Sequence, residues 1–244
     1  MTSSDYWDQA TADAYDQDTA EQSTPAALAP TLDVLERLAA GGRVLELAIG
    51  TGRVGVALAA RGVPVTGIEL SEPMVARLRR KVDARQVPVV VGDMATTQAD
   101  GTFSLVYLVF NTISNLRTQA EQVACFRNAA RHLAPGGRFV IELWVPPLRR
   151  LPPGQLAAPF DVSDTHLGMD TYDLVTQQGT SHHYWLSADG PTRYGATNFR
   201  YLWPSECDLM AELAGMQLEE RTADWTGAPF TSDSESHVSV WRKP

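Results

Sequence analysis

The segment Val44-Leu-Glu46-Leu-Ala48-Ile-Gly50-Thr-Gly52-Arg-Val-Gly55 constrains this chain more than any other. An apolar run suited to a buried strand enters a turn of small residues, and a helical pattern follows. Such a turn lets the backbone approach a ligand closely. The helix behind it offers free N–H groups to an anion. Glu69 ends the next strand-like run, 69 − 50 = 19 residues after Gly50. A carboxylate there can accept both hydroxyls of a ribose. This grammar implies parallel strands with right-handed crossovers and a nucleotide ligand.

The residues alone leave that nucleotide open, because Gly50-x-Gly52-x-x-Gly55 with Glu69 also satisfies the dinucleotide fingerprint. Three features separate the alternatives. Glu46 lies four residues before Gly50, where a carboxylate suits the ammonium of an amino-acid cofactor and does nothing for a pyrophosphate. Gly92-Asp93-Met94 ends the third strand-like run, so Asp93 can accept from an adenine amine and Met94 can pack on the ring. Short-chain dehydrogenases need a Tyr-x-x-x-Lys pair, yet the only lysines are Lys81 and Lys243, and neither has a tyrosine four residues before it.

Strand-like runs at Arg43–Ala48, Val65–Leu70, Pro88–Val91, Ser104–Val109 and Arg138–Val145 alternate with helical patterns. Ser71 can cap one helix, and Arg79, Arg80 and Lys81 sit where its dipole favours cations. Gln119–Leu133 is a second helix, closed by Pro135-Gly136-Gly137. After Trp144 the pattern changes. Thr171–Gln177, Ser181–Ser187 and Thr192–Tyr201 are expected as antiparallel strands, with Gly179 and Asp189-Gly190 in the turns. A last helix is expected from Ser205, with Ser205 and Asp208 as a capping box, Leu209, Leu213 and Met216 at helical spacing, and Gly215 closing it. Two strand-like runs end the chain, Gln217–Trp225 and Ser236–Trp241.

With these motifs on the page, the chain resembles the class I S-adenosylmethionine-dependent methyltransferases, in their small-molecule branch. The resemblance covers roughly residues 40–145 and 204–241. It rests on Glu46–Gly52, on Gly67-Ile-Glu69-Leu-Ser71-Glu-Pro-Met74, on Gly92-Asp93-Met94, on Phe103–Thr112, and on Leu133–Glu142. It implies a Rossmann-like α/β sheet of seven strands in the order 3-2-1-4-5-7-6, strand 7 antiparallel, with an antiparallel β insertion after strand 5. It also implies S-adenosyl-L-methionine as cofactor. Gly50 and Gly52 would line the methionine end, Glu69 would hold the ribose, and Leu70 and Met74 would lie near the adenine. Asp93 would bind the adenine amine, and Val109 would offer its carbonyl to the ammonium. Two positions depart from the family: Ala48 stands where it usually has Gly, and Ser104 where it often has Asp. Ala48 is expected to narrow the site without closing it.

The same resemblance divides the chain into an N-terminal lid (1–24), a cofactor-binding core (25–145 and 204–244) and an insertion (146–203) serving as substrate cover or dimer contact. Tyr6, Trp7 and Tyr15 stand in the lid; in related small-molecule N-methyltransferases a tyrosine there approaches the methionine end, so Tyr15 is expected against the cofactor and Tyr6 against the substrate. Asn111, after the fourth strand, is placed either to bond substrate or to cap the next turn. In the insertion His183 and Trp185 should face one side of a strand and His182 and Tyr184 the other. Trp185 is expected against the substrate. His166, His182, His183 and His237 are the candidate catalytic histidines, and His132 is expected to be structural. In-line methyl transfer depends chiefly on alignment and exclusion of water, so a general base is needed only for a hydroxyl or a protonated amine.

Composition narrows the partners. The 244 residues carry 20 Lys+Arg against 29 Asp+Glu, a net charge of −9, which opposes a phosphate-driven grip on nucleic acid. Residues 1–24 hold six acids and no basic residue, unlike a secretory signal. No apolar run approaches the roughly 18 residues of a membrane span. Cys125 and Cys207 lack metal spacing and are expected as helix-core residues, so no metal is assigned and a reducing cytoplasm is the default. The expected activity is N- or O-methylation of a small molecule. The competing expectation is a natural-product enzyme of the same fold that binds the cofactor without transferring methyl, such as a cyclase.

Overall fold

A computed structural model describes residues 7–187 and 190–244. Tyr6, and part of the expected Asp189-Gly190 turn, lie outside them. The helices are α1 (Gln9–Asp18), α2 (Pro25–Ala39), α3 (Gly55–Ala60), α4 (Glu72–Arg79), α5 (Gln119–His132) and α6 (Pro204–Leu213). The strands of the main sheet are β1 (Val44–Leu47), β2 (Val65–Glu69), β3 (Val89–Val91), β4 (Phe103–Leu108), β5 (Leu133–Trp144), β10 (Gln217–Thr222) and β11 (Ser236–Arg242). Their order is β10-β11-β5-β4-β1-β2-β3. Neighbours from β3 to β5 are parallel, and β11 runs antiparallel to both β5 and β10. This is the expected seven-stranded Rossmann-like sheet.

Strands of this sheet are apolar on both faces because helices cover both. Leu45 and Leu47 point to the layer of α5, packed with Phe126, Phe139 and Trp241. Val44 points to the opposite layer with Leu35 and Leu58. α5 starts on a full capping box between Thr118 and Glu121. Ser71 caps α4 as expected, accepting from Met74 N–H at 3.3 Å. Cys125 and Cys207 are free and buried, and burial pushes both thiols far up.

α6 differs from expectation in two respects. Its N-cap is Trp203, with no side-chain cap bond, because Pro204 sits at the first helical position and has no N–H to satisfy. Asp208 instead accepts from Arg221 at 2.6 Å and from the Trp241 indole at 2.9 Å. Its buried face is Cys207, Met210 and Ala211, packed toward α5, which leaves Leu209 and Leu213 exposed. Gly215 at φ +77° follows the helix, as a left-handed terminator should.

The insertion forms a second, four-stranded antiparallel sheet: β6 (Ala157–Val162), β7 (His166–Tyr172), β8 (Gln178–Trp185) and β9 (Arg193–Arg200). β6 lies ahead of the expected strands. β7 also ends earlier than expected, because Asp173 builds the turn: its carboxylate accepts from Val175 N–H and from the Thr176 hydroxyl. Gly179 is therefore not in a turn. It lies in β8 opposite Phe199, whose ring stands 2.3 Å from where a Cβ would be.

His237 is fully buried in β11, on the same face as Trp241. Its Nδ1 meets Ser239 Oγ at 2.7 Å, while Nε2 has no partner among the described residues. Burial, then the nearby Arg221 charge, push its imidazole down to about 4 from 6.5. This corrects its expected catalytic place: the ring is a neutral core group. The unfolded chain binds the proton more readily, so stability is present above about pH 6.5 and is lost as pH falls toward 4. The loss amounts to roughly 3 kcal/mol at about 1.4 kcal/mol per pKa unit. In urea titrations at pH 7 and pH 4.5, His237→Asn should show a correspondingly smaller acid-induced drop than the parent chain.

Candidate active site

Two adjoining cavities open at the carboxyl ends of β1 to β4, where a parallel sheet of this order reverses direction. The smaller, about 70 Å³, is lined by Ala48 and Gly50 after β1, by Glu69, Leu70 and Met74 around the end of β2, and by Gly92, Asp93 and Met94 after β3. Tyr15 and Trp7 close it from above. The sequence placed all of these here except Gly92, and placed Trp7 only as part of the lid.

Glu69 organises this cleft. Its Oε2 accepts from Gly50 N–H and its Oε1 from Ser71 N–H, both at 2.8 Å. Burial raises its pKa while those amides oppose the rise. Each oxygen keeps a further lone pair. Asp93 Oδ1 accepts from Ala95 N–H at 2.7 Å, and Met74 and Met94 provide apolar sides. Ala48 occupies φ +52° and Gly50 φ +59°. Left-handed backbone costs alanine about 1 kcal/mol, which explains why glycine suits position 48.

Three expected contacts, those of Glu46, Gly52 and Trp185, are corrected. Glu46 does not line the cleft. Its side chain enters the α2–α3 layer, where Oε2 accepts from the Tyr107 hydroxyl at 2.9 Å and meets the amide that starts α3. Burial pushes its carboxyl up to about 8, against the hydroxyl, Arg53 and that amide. Gly52, φ +83°, donates to Ile49 O and faces Val56 and Leu78, so its small size serves helix packing. Val109 O accepts from the Thr112 hydroxyl at 2.8 Å and keeps a further lone pair. This follows from Phe110 and Asn111, both left-handed, which turn the chain back on itself. Trp185 lies beyond the second cavity, stacked on His183 at 5.4 Å beneath Arg193.

The second cavity measures about 640 Å³ and shares Trp7, Tyr15, Thr112 and Asn115 with the first. Its remaining wall comes from the loop after β4, the segment after β5 and one face of the insertion sheet. Asn111 lines it, but Oδ1 accepts from Trp144 N–H at 3.3 Å and forms no cap on the following 3₁₀ turn. Glu142 braces this corner, accepting from Phe110 N–H and from the Trp225 indole.

Of the candidate histidines, His183 alone lines either cavity. His182 points to the other sheet face, bonded to Thr171 and Tyr194, as strand alternation requires. His166 lies behind His183, with Nε2 3.0 Å from His183 Nδ1. His132 is buried, its Nε2 accepting from Ala99 N–H at 2.9 Å, and is structural as expected. Sequence reasoning missed Asp170, Tyr172, Ser181, Thr197 and Phe199, which share the cavity face. Their signal was the alternation Asp170-x-Tyr172 and Ser181-x-His183 on paired strands.

α1 is fastened over the cleft by polar bonds. Asp16 accepts from Lys81 at 2.7 Å and from Thr51 at 2.6 Å, and Ser71 Oγ donates to Trp7 O at 2.6 Å. Burial raises the Tyr15 hydroxyl pKa.

Fold and cleft together define the class: a Rossmann-like sheet with an acid at the end of β2 and another after β3. A methyltransferase-domain family model matches residues 44–137. The cypemycin N-terminal methyltransferase of a Streptomyces species is 30% identical over 207 residues, 82% of each chain. The dTDP-4-amino-2,3,4,6-tetradeoxy-D-glucose N,N-dimethyltransferase of Saccharopolyspora spinosa is 35% identical over 111 residues, 46% of this chain and 44% of that protein. Among solved structures, the CcbJ methyltransferase of Streptomyces caelestis superposes with a TM-score of 0.79 at 38% identity, covering 88% of each chain. The chain belongs to the class I S-adenosylmethionine-dependent methyltransferases, and its cofactor is S-adenosylmethionine. No helix among the described residues is long and apolar enough to cross a membrane.

Glu69→Gln puts an amide N–H₂ against the N–H of Gly50 or Ser71. The expected pair of charge-assisted bonds from cofactor hydroxyls, roughly 1.5–3 kcal/mol each and partly replaced by water, would put the loss at about 2–4 kcal/mol. Calorimetry with S-adenosylhomocysteine should show at least tenfold weaker binding for Glu69→Gln.

Proposed function

We propose that this chain methylates a basic nitrogen of a small molecule. One observation carries the reading. The cavity that meets the cofactor cleft holds a histidine and a carboxylate, His183 and Asp170, within a largely aromatic and apolar wall. At about 640 Å³ it lies within the roughly 300–1,000 Å³ usual for small-molecule sites. Asp170 accepts from the Tyr172 hydroxyl at 3.0 Å and suits a cationic amine. Burial, then the nearby His166, hold His183 below its ordinary pKa, so it is neutral at pH 7 and able to accept a proton. The name of the amino-sugar relative specifies N,N-dimethylation, and that of the cypemycin relative an N-terminal site.

The cleft fits the cofactor in donor chemistry. Glu69 would hold the ribose hydroxyls, Asp93 the adenine amine, and Leu70, Met74 and Met94 the ring. When bound, S-adenosylmethionine supplies a methyl carbon on a sulfonium, open to in-line attack by a nitrogen lone pair. Trp7 and Tyr15 would then cover the reacting centre, and Phe110, Trp144 and Tyr201 would keep water from it.

α1 acts as the lid in this reading. Trp7 and Tyr15 cover the cleft, and the segment is held there by polar bonds of Asp16 and Ser71 that can open and re-form as ligand enters and leaves. Hydrogen exchange should show residues 8–18 better protected with S-adenosylhomocysteine than without it. Equal protection would mark a fixed helix.

Activity is tested by incubating the protein with S-adenosylmethionine and an acceptor panel. The panel comprises a primary amino sugar, a secondary cyclic amine, a peptide with a free N-terminus, and a phenol and sugar alcohol of matched size. Formation of S-adenosylhomocysteine with amine acceptors only is the expected result. Turnover confined to the hydroxyl acceptors would replace nitrogen by oxygen. Cofactor binding with no S-adenosylhomocysteine from any acceptor would favour the cyclase-like reading.

A further inference from the structure

Three residues of the insertion sheet form a hydrogen-bonded chain that ends in the substrate cavity. Asp161 Oδ2 lies 2.6 Å from His166 Nδ1, and His166 Nε2 lies 3.0 Å from His183 Nδ1. The chain starts at a half-exposed carboxylate, 44% of whose side chain is accessible, and passes through His166, which is 16% accessible. Its inner end, His183, lines the cavity. Nothing in cofactor binding calls for this arrangement.

The sheet is built to hold it. His183 pairs with Gly168 on β7 and Gly195 on β9, so neither neighbour crowds its ring. A Cβ at Gly168 would come within 2.2 Å of the Phe160 ring, and one at Gly195 within 3.0 Å of Trp185. Phe160 and Trp185 meet the His183 ring at 5.3 Å and 5.4 Å. Both glycines thus make room for the aromatic groups that fix the imidazole plane.

Hydrogen-bond chemistry then sets the tautomers. An ionised Asp161 can only accept, so His166 carries its proton on Nδ1. That leaves the lone pair on His166 Nε2, which takes the Nδ1–H of His183. The His183 lone pair therefore sits on Nε2. This atom lies 3.3 Å from Ser181 Oγ, another residue of the cavity wall.

We propose that Asp161, His166 and His183 are a proton relay for the methyl transfer, with His183 Nε2 taking the proton from the substrate's ammonium. The proposal rests on the N-methylation reading above. The N–H bond of the ammonium breaks and its electron pair stays on nitrogen, while Nε2 gains the proton. His183 Nδ1 can then pass its own proton to His166 Nε2, and His166 can pass its Nδ1 proton to Asp161 and so to solvent. The freed lone pair forms the new N–C bond as the C–S bond breaks, its electrons remaining on sulfur. Protonated Nε2 can meanwhile donate to Ser181 Oγ. The charged and titratable groups around His183 are Asp161 on β6, His166 and Asp170 on β7, and His182 on β8. β9 adds Arg193 over Trp185, and Arg149, Arg150 and Glu235 lie across the cavity.

The test uses the full-length protein labelled with ¹⁵N-histidine, with His183→Gln to assign the resonance. At pH 7 His183 should be neutral, with its proton on Nδ1 and a bare Nε2. A proton on Nε2 would overturn the relay, since that atom could then accept nothing. The second readout is kinetic, using the amine of the panel that turns over fastest. His183→Gln should lower kcat about 100-fold or more at pH 7, in the range for a lost general base. The deficit should shrink about tenfold per pH unit as the amine deprotonates itself in solution. His166→Asn and Asp161→Asn should show smaller deficits with the same recovery, and S-adenosylhomocysteine affinity should be unchanged in all three. A deficit constant with pH would mean a packing role and would sink the relay while leaving N-methylation intact. Failure of every amine acceptor would instead remove N-methylation, and the relay with it.

Discussion

The two backbone bonds to the Glu69 carboxylate hold the cofactor cleft together. One oxygen takes the amide of Gly50 and the other that of Ser71, each at 2.8 Å. A single side chain at the end of β2 thereby fixes the turn after β1 and the start of α4. Both segments would otherwise present unpaired amides in a buried place, at a cost of about 1–3 kcal/mol each. The same carboxylate faces the cleft, so the group that shapes the site is also available to its ligand. Ser71 extends the connection, donating to Trp7 O and so tying the covering segment to this corner.

Around this point the molecule divides into a floor and a roof over the cleft. The floor is the main sheet, with apolar layers on both faces and buried polar groups that are nearly all bonded. Glu46 belongs to it: its carboxylate joins β1, β4 and the start of α3, and burial raises its pKa to about 8. The roof is α1, tied to the floor by polar contacts such as Asp16 with Lys81 and Thr51, together with the insertion sheet, whose end packs Leu202 into the core. Local strain gathers where the two meet. Ala48, Phe110 and Asn111 all hold left-handed backbone. Such strain persists only where surrounding contacts over-determine it, here the Glu142 and Trp144 bonds around Phe110 and Asn111.

What the sequence disclosed and what it hid follow one physical line. Gly50, Glu69, Leu70, Met74, Asp93 and Met94 were legible as lining residues of the cleft because each sits at a set distance from the end of a parallel strand, and such strands announce themselves as apolar runs. Glu46 was misjudged for the same reason: spacing places a residue on a strand but does not say which face it takes, and pairing with Tyr107 drew it into the core. The insertion was less legible. Its strands are amphipathic and their boundaries depend on turn chemistry, so Asp173 ended β7 where Gly179 was expected to mark the turn.

The sequence by itself determined the alternation of parallel strands with helices, the nucleotide-type cleft and the presence of an antiparallel insertion, because these follow from local periodicity, turn composition and residue spacing; its family resemblance supplied the sheet order and the cofactor. Only the tertiary structure decided which histidine lines the larger cavity. His166, His182, His183 and His237 are chemically equivalent in the sequence. Strand pairing turned His182 outward, sealed His237 in the core and set His166 behind His183, with Asp161 beyond it. Contacts between strands far apart in the chain make that choice, and no local pattern encodes them.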